Sequence, residues 1–370
     1  MGRPVGGLAD HLRRRIAACG PLTVAEFMAE ALGHPRHGYY TSRDPLGAAG
    51  DFITAPEISQ MFGELIGLWC AVVWQDMGAP DPVAVVELGP GRGTLMADVL
   101  RAVRPAPGFL DAARLHMVET SPVLRERQQE ALAAAELGTA PVWSDSLDGV
   151  PEGPMVLIAN EFFDALPVRQ FQRTEEGWRE RRVDAEEDGG FRFVLAPPLP
   201  LDPLTTKRLA VAPESGVDGG VIEVCPDGLA LAGAIGRRVA RHGGAALILD
   251  YGHAESAAGD TLQAVKDHAY HPVLEAPGEA DLTAHVDFTG LAAAAVEAGA
   301  GAFGPVPQGT FLERLGIGAR AEALLVGATA GQASDIRSAH HRLVDEAEMG
   351  TLFKALAVAH PETAPPPGFG

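Results

Sequence analysis

Cysteine is scarce in this chain. Its 370 residues include three, Cys19, Cys70 and Cys225, odd in number and far apart. That excludes a disulfide framework, supplies no metal or redox motif, and fits a reducing compartment. Basic residues are also short, with 29 Lys and Arg against 49 Asp and Glu, a formal charge of −20 at pH 7. No Lys/Arg block offsets that balance, so no nucleic-acid partner is expected, and a cationic partner suits the surface better. No apolar run nears the roughly 20 residues of a membrane-spanning helix, so no membrane span is expected. The opening MGRPVGGLADHLRRRI lacks the apolar centre of a secretory signal, and Gly6 stands where myristoylation wants Ser or Thr. Arg13, Arg14 and Arg15 between Leu12 and Ile16 suit a matrix-targeting helix, but Asp10 and the lack of serines speak against one. A soluble cytoplasmic protein is the expectation.

Several catalytic signatures are missing as well. There is no nucleophile elbow, no Walker lysine and no HExxH. His253, His268, His271 and His285 share a region, but no HExxH or Cys/His pairing accompanies them, so no metal site is expected. An apolar content of 46% over this length supports one large α/β domain with insertions, or two domains.

What is present centres on Val83 to Leu100, VAVVELGPGRGTLMADVL. A short apolar run ends in Glu87, the turn Gly89-Pro90-Gly91-Arg92-Gly93 follows, and Thr94, Leu95, Met96, Val99 and Leu100 resume at helical spacing. Strand, glycine turn and helix in this order open a doubly wound α/β domain. Glycines permit positive φ and let a ligand lie on bare backbone, while amides at a helix start suit a carboxylate or phosphate. Ala113 to Glu119 reads as the second strand, and Glu119, 26 positions beyond Gly93, can accept from both hydroxyls of a ribose. Thr120 follows it, and Ser121-Pro122 opens a helix to about Leu137. Pro141 to Trp143 forms a third strand with Asp145 and Ser146 at its tip, where an adenine amino group can be met. Met155 to Ala159 is the fourth strand, apolar throughout. It runs into Asn160-Glu161-Phe162-Phe163-Asp164, and a helical turn over 161–164 would put both carboxylates on one face. Gly244 to Asp250 is the fifth strand.

Around this frame, residues 8–32 read as two helices with Thr23 capping the second. Thr54 and Glu57 form a capping box with Pro56 in the first turn, predicting a helix to about Gln75. The segments from Arg169, Gly177 and Gly190 alternate as β-hairpins, and Val221 to Pro226 adds a strand. A helix over 228–241 rejoins the main fold, and another covers 288–298. Gly301 to Pro307 and Leu352 to Val358 read as closing antiparallel strands. The organisation expected is a helical segment over 1–80, a core over 81–166 and 226–360, a β-rich insertion over 167–225, a polar loop insertion over the site at 253–285, and a flexible tail at 361–370.

The glycine turn and Glu119 suit a nicotinamide dinucleotide or S-adenosylmethionine. A short-chain dehydrogenase needs Lys four positions after Tyr, yet Arg43, Asp44, Glu255 and Leu274 follow the four tyrosines at that spacing, favouring a methyltransferase. Here a resemblance adds to the residues. GDFITAPEISQMFGELIGLW (50–69), VVELGPGRGTLMADVLR, NEFFDALPVRQF (160–171), ALILDYGH, GDTLQAVKDH and DLTAHVDF (281–288) together resemble the MidA-like methyltransferases, in collinear order over about 8–358. That family includes the mitochondrial arginine methyltransferase that assists assembly of respiratory complex I. The resemblance implies an α/β fold with a Rossmann-like seven-stranded sheet, S-adenosyl-L-methionine as cofactor, and symmetric dimethylation of an arginine in a protein substrate, a complex I subunit among mitochondrial members.

The chemistry of the residues agrees. A guanidinium is protonated and poorly nucleophilic, and paired carboxylates can grip it bidentately and aim one nitrogen. Glu161, Asp164 and Asn160 are the catalytic candidates. Glu87, Gly89, Gly91, Gly93, Thr94, Glu119, Thr120, Asp145, Ser146, Asn160, Thr54 and Pro56 are the cofactor candidates. Asn160 resembles the start of the Asn-Pro-Pro-Tyr loop of amide and base methyltransferases, with Glu161-Phe162 in place of the prolines. Asp51, Glu223, Asp250 and Asp287 are reserve acids, and Phe52 and Gln170 are candidate pocket walls. A basic, arginine-bearing segment is the expected partner, and a homodimer is admitted by apolar stretches such as 66–73. Two other readings stand beside this one, an assembly factor that binds the cofactor with little turnover and a nicotinamide oxidoreductase. The Ala, Gly and Arg content looks bacterial, which implies the cytoplasm, or the mitochondrial matrix for a eukaryotic chain.

Overall fold

The computed structural model describes residues 7–42, 54–135, 140–198, 200–210 and 219–370. The chain forms two compact units, each assembled from three stretches: residues 1–52, 164–230 and 255–287 in the first, and 53–163, 231–254 and 288–370 in the second.

The second unit carries the sheet that the glycine turn foretold. Seven strands, β1 (Val83–Leu88), β2 (Ala113–Val118), β3 (Val142–Ser144), β4 (Met155–Asn160), β5 (Gly244–His253), β6 (Gly301–Pro307) and β7 (Phe353–Ala359), lie in the order β6-β7-β5-β4-β1-β2-β3. Strands β1 to β5 are mutually parallel, whereas β7 runs antiparallel to both β5 and β6. Every residue of β4 is buried, as a central parallel strand covered on both faces requires. The order reverses between β4 and β1, and ligands of open α/β sheets bind beyond the strand ends at such a switch point. Packed on this sheet are α2 (Gln60–Asp76) and α3 (Thr94–Ala102), which contribute Phe62, Ile66, Trp69, Met96 and Val99 to its core. The tail expected to be free folds back instead, with Phe369 against Phe311 at 5.2 Å between ring centroids.

The first unit joins the N-terminal helices to both insertions. Helices Leu8–Cys19 and Val24–Gly33 stand where the apolar spacing placed them, and Thr23 with Glu26 makes a complete capping box. The strands Leu22–Thr23, Gly177–Ala185, Arg169–Thr174 and Val221–Val224 run in that order across one sheet, with Phe191–Leu195 paired to 177–185. Leu12, Phe27, Met28, Val168, Val183, Leu262 and Leu282 share its core. The stretch 253–285, expected as loop, contains the strands Gln263–Lys266, Ala269–His271 and Asp281–Thr283. Each of these strands is three or four residues long, too short for a period to stand out from the polar composition around it. The helical segment expected over 1–80 divides between the units after Phe52.

Candidate active site

At the carboxyl end of β1 the chain turns through Gly89, Gly91 and Gly93, with φ of 59°, 54° and 84°. All three lie in the left-handed region that side chains resist. A Cβ at Gly89 would stand 2.6 Å from Cδ2 of Phe162. The turn is closed by Gly93 N–H donating to Pro90 O at 2.8 Å, and Gly89 N–H ties it to Val118 O at the end of β2 at 3.0 Å. No side chain caps α3, so its first amides face the turn without an N-cap oxygen.

Two acids close the strands beside this turn. Glu87 is 3% exposed, and its Oε2 is buried with no hydrogen-bond partner. Burial, and secondarily the charge of Glu119, push its carboxyl up to about 8. Glu119, at the tip of β2, accepts from Ser121 N–H at 2.7 Å and from Gln128 Nε2 at 3.2 Å. Burial raises its pKa, opposed by these donors, by the Thr120 amide and by Arg125. Gln128 is wholly buried on helix α4 (Pro122–Ala134), whose start is capped by Ser121 as its sequence predicted. The end expected for this helix, near Leu137, lies outside the described residues. At the tip of β3, Asp145 is exposed and pairs with Arg125 at 2.6 Å, and Ser146 precedes a short 3-10 turn. Thr120 is exposed beside Glu119.

The segment before α2 departs from the predicted single helix. Thr54 makes no side-chain cap, and a four-residue helix α1 (Ala55–Ile58) with Pro56 in its first turn breaks at Ser59, whose extended backbone and hydroxyl start α2. The capping box fails because Glu57 is engaged elsewhere, accepting from the Thr94 hydroxyl at 2.6 Å. The cap of this short helix comes from Glu161, whose Oε1 accepts from Ala55 N–H at 2.9 Å and from Asn160 Nδ2 at 3.2 Å.

The helical turn expected at 161–164 is absent. Glu161 has φ of 50°, and the amides of Phe162 and Phe163 donate to Asp250 Oδ2 at 3.1 and 2.9 Å. This reversal replaces the helical register that would have aligned Glu161 with Asp164. Asp164 begins the other unit, where it is buried. There Tyr40 donates to Asp281 at 2.8 Å, and burial, then Asp281 and Asp164, raise the tyrosine pKa.

The reserve acids have structural work. Asp250 holds the turn after β4, Glu223 accepts from Gln170 Nε2 at 2.8 Å and from Leu262 N–H at 3.2 Å, and Asp287 accepts from Ser256 at 3.0 Å and pairs with Arg208. Asp51 and Phe52 lie outside the described residues. Among the described residues, His11, Glu30 and His34 cluster closely, but Arg15 holds Glu30 at 2.6 Å and His34 Nδ1 accepts from two backbone amides. Sequence reading missed Gln128, since a glutamine mid-helix carries no pattern that marks it. It also missed that Thr94 engages Glu57 and that Glu161 caps Ala55, contacts between residues distant in the chain.

The strand order, the glycine turn at its switch point and the paired strand-end acids define a nucleoside-binding α/β protein. Residues 65–306 match the family of S-adenosyl-L-methionine-dependent methyltransferases, and the chain belongs to that family. It is 41% identical to "Protein arginine methyltransferase NDUFAF7, mitochondrial" of Danio rerio, covering 95% of this chain and 86% of that one. The Drosophila melanogaster homologue of the same name is also 41% identical, over 98% and 89%. A methyltransferase-type protein from Burkholderia thailandensis, solved with S-adenosylhomocysteine bound, superposes with a TM-score of 0.84 at 29% identity, covering 100% of this chain and 98% of that one. The expected fold class and cofactor, S-adenosylmethionine, hold, and the oxidoreductase reading falls away. No described helix is long and apolar enough to cross a membrane.

The residues present fit that cofactor. The orphaned Glu87 Oε2 asks for a cation or donor, and the first amides of α3 carry no side-chain cap.

Proposed function

We propose that this protein transfers methyl groups from S-adenosylmethionine to an arginine guanidinium of a protein substrate. The observation that carries the proposal is a buried carboxylate with an unsatisfied oxygen, Glu87 near the end of β1, with Glu119 just beyond the end of the adjacent strand β2, beside the glycine turn. The relatives named as arginine methyltransferases supply the substrate class.

In this reading the turn at Gly89, Gly91 and Gly93, with Thr94 and the first amides of α3, receives the carboxylate of the cofactor's amino-acid end. Glu87 takes its ammonium, Glu119 and Thr120 meet the ribose, and Asp145 and Ser146 meet the adenine. Thr54 and Pro56 flank the site through α1. When bound, the cofactor supplies an electrophilic methyl on a sulfonium. The chain's part is to hold and aim the acceptor nitrogen. Asn160 Nδ2 is turned to Glu161, which points the amide oxygen away from that carboxylate as an acceptor for an incoming N–H. Asp164, four residues beyond Asn160, is the acid proposed to take the proton lost on methylation. Glu161 acts chiefly by capping α1, a smaller role than its sequence position promised.

A basic, arginine-bearing segment suits the chain's net charge. For mitochondrial relatives that segment belongs to a complex I subunit in this reading. The same target class is proposed here, in the bacterial cytoplasm or, for a eukaryotic chain, the matrix, acting alone or as a homodimer.

The test is incubation with methyl-labelled cofactor and a lysate from a deletion strain, followed by mass spectrometry of methylarginines. Methylarginine lost in the deletion and restored by the protein is expected. Tight cofactor binding with no methylated product would favour the assembly-factor reading instead. A second result follows from Glu87. Its carboxyl is neutral below about 8 in the free protein, whereas a cationic ligand favours the ionised form. Affinity for adenosylmethionine is therefore expected to strengthen as pH rises from 6 to 8, by up to about tenfold per unit, then level off. Glu87→Gln should flatten that slope in calorimetry. The sign for folding is opposite: between the ordinary carboxylate range and about 8 the folded chain binds the extra proton, so the free protein loses stability as pH rises.

A further inference from the structure

The strongest unassigned feature is a buried amide at the centre of the cofactor end of the sheet. Gln128 Nε2 donates to Gly91 O at 2.8 Å and to Glu119 Oε2 at 3.2 Å, while its Oε1 accepts from Trp143 Nε1 at 2.8 Å. The indole N–H can only donate, so the amide oxygen must face Trp143 and both N–H groups must face the other side. The amide orientation is thus fixed by chemistry. One side chain on α4 joins the glycine turn after β1, the acid ending β2 and the aromatic residue in β3. Its backbone also fits under the turn, since a Cβ at Gly93 would stand 3.1 Å from Gln128 Cα.

We propose that Gln128 is a positioning residue for ribose recognition, fixing the Glu119 carboxylate relative to the Gly89–Gly93 turn so that the cofactor's hydroxyls meet an oriented acceptor. This rests on the ribose role of Glu119 given above. Ser121 N–H already holds Oε1 of that carboxylate at 2.7 Å. With Gln128 on Oε2, rotation of the carboxylate is blocked at both oxygens, and each oxygen keeps lone pairs for the ligand. Without the amide donor, Oε2 is released and the Gly91 carbonyl loses its partner together with it. Preorganised groups of this kind set affinity by removing the cost of ordering at binding.

The experiment compares S-adenosylhomocysteine with its 2′-deoxy counterpart by calorimetry. The unaltered protein is expected to prefer the hydroxylated ligand by about tenfold, the value of one hydrogen bond to a charged group. Gln128→Met conserves volume and removes both donors. It should cut that preference to about twofold while changing the Kd of the deoxy ligand little. Should Gln128→Met fail to fold, Trp143→Phe frees the amide oxygen, lets the amide turn over, and is expected to lower the preference to about threefold. Equal weakening of both ligands, or an intact preference, would mean a packing role alone and would overturn the proposal. Glu119→Ala separates the two readings. If that variant retains the full preference, the ribose role of Glu119 fails and the proposal goes with it. If it abolishes the preference while Gln128→Met does not, the proposal fails alone.

Discussion

Glu119→Ala is expected to weaken adenosylmethionine binding about 100-fold, measured by calorimetry. Two ribose hydroxyls donating to one carboxylate contribute roughly 1.5 kcal/mol each at the lower end for charged acceptors, and about 3 kcal/mol corresponds to that factor. The burial of Glu119 favours the larger estimate, since water competes poorly at a site 9% exposed. Stability should fall by a smaller amount, about 1–2 kcal/mol, because Ser121 N–H and Gln128 Nε2 lose their acceptor. The two effects are separable. A ribose role requires the loss in affinity to exceed the loss in stability, and a Kd within threefold of the unaltered protein would refute it.

Gly89→Ala is expected to abolish measurable cofactor binding and to lower the melting temperature by about 5 °C. The position has φ of 59°, which costs a non-glycine residue about 1 kcal/mol, and the new methyl would stand 2.6 Å from Phe162 Cδ2. Phe162 has little room to yield, because its amide and that of Phe163 are both held by Asp250. Either the ring or the turn must shift. A shift of the turn moves Gly91 and Gly93 with it, and displacement of the cradle is what removes the ligand's seat. Retained binding with a lowered melting temperature would show that the ring gives way and the turn keeps its place, the opposite of the expected outcome.

Much of this was legible in the sequence because parallel strands announce themselves. Val83–Leu88, Met155–Asn160 and Gly244–His253 are apolar on both faces, and each ends near a charged or amide residue. Their glycine turn and the second-strand acid followed at characteristic distances. Local caps were legible where both partners lie within one turn, as at Thr23 with Glu26 and at Ser121. The box at Thr54 and Glu57 had the same local spelling, yet Thr94, 37 residues on, takes the glutamate. A local pattern cannot report a rival so distant in the chain. The same limit hid the left-handed turn at Glu161, whose conformation is imposed by Asp250 and by Ala55, 106 residues away. Acid identity was visible there; acid orientation was not.

The helices Leu8–Cys19 and Val24–Gly33 lay their apolar faces on Val168, Val183, Leu262 and Leu282. During synthesis these two helices emerge about 135 residues before Val168 and about 250 before Leu282. At about 5–20 residues per second this leaves their greasy faces uncovered for tens of seconds. A chain cut short between Val183 and Leu262 would keep half of the surface these helices lie on and lose the half that Leu262 and Leu282 supply.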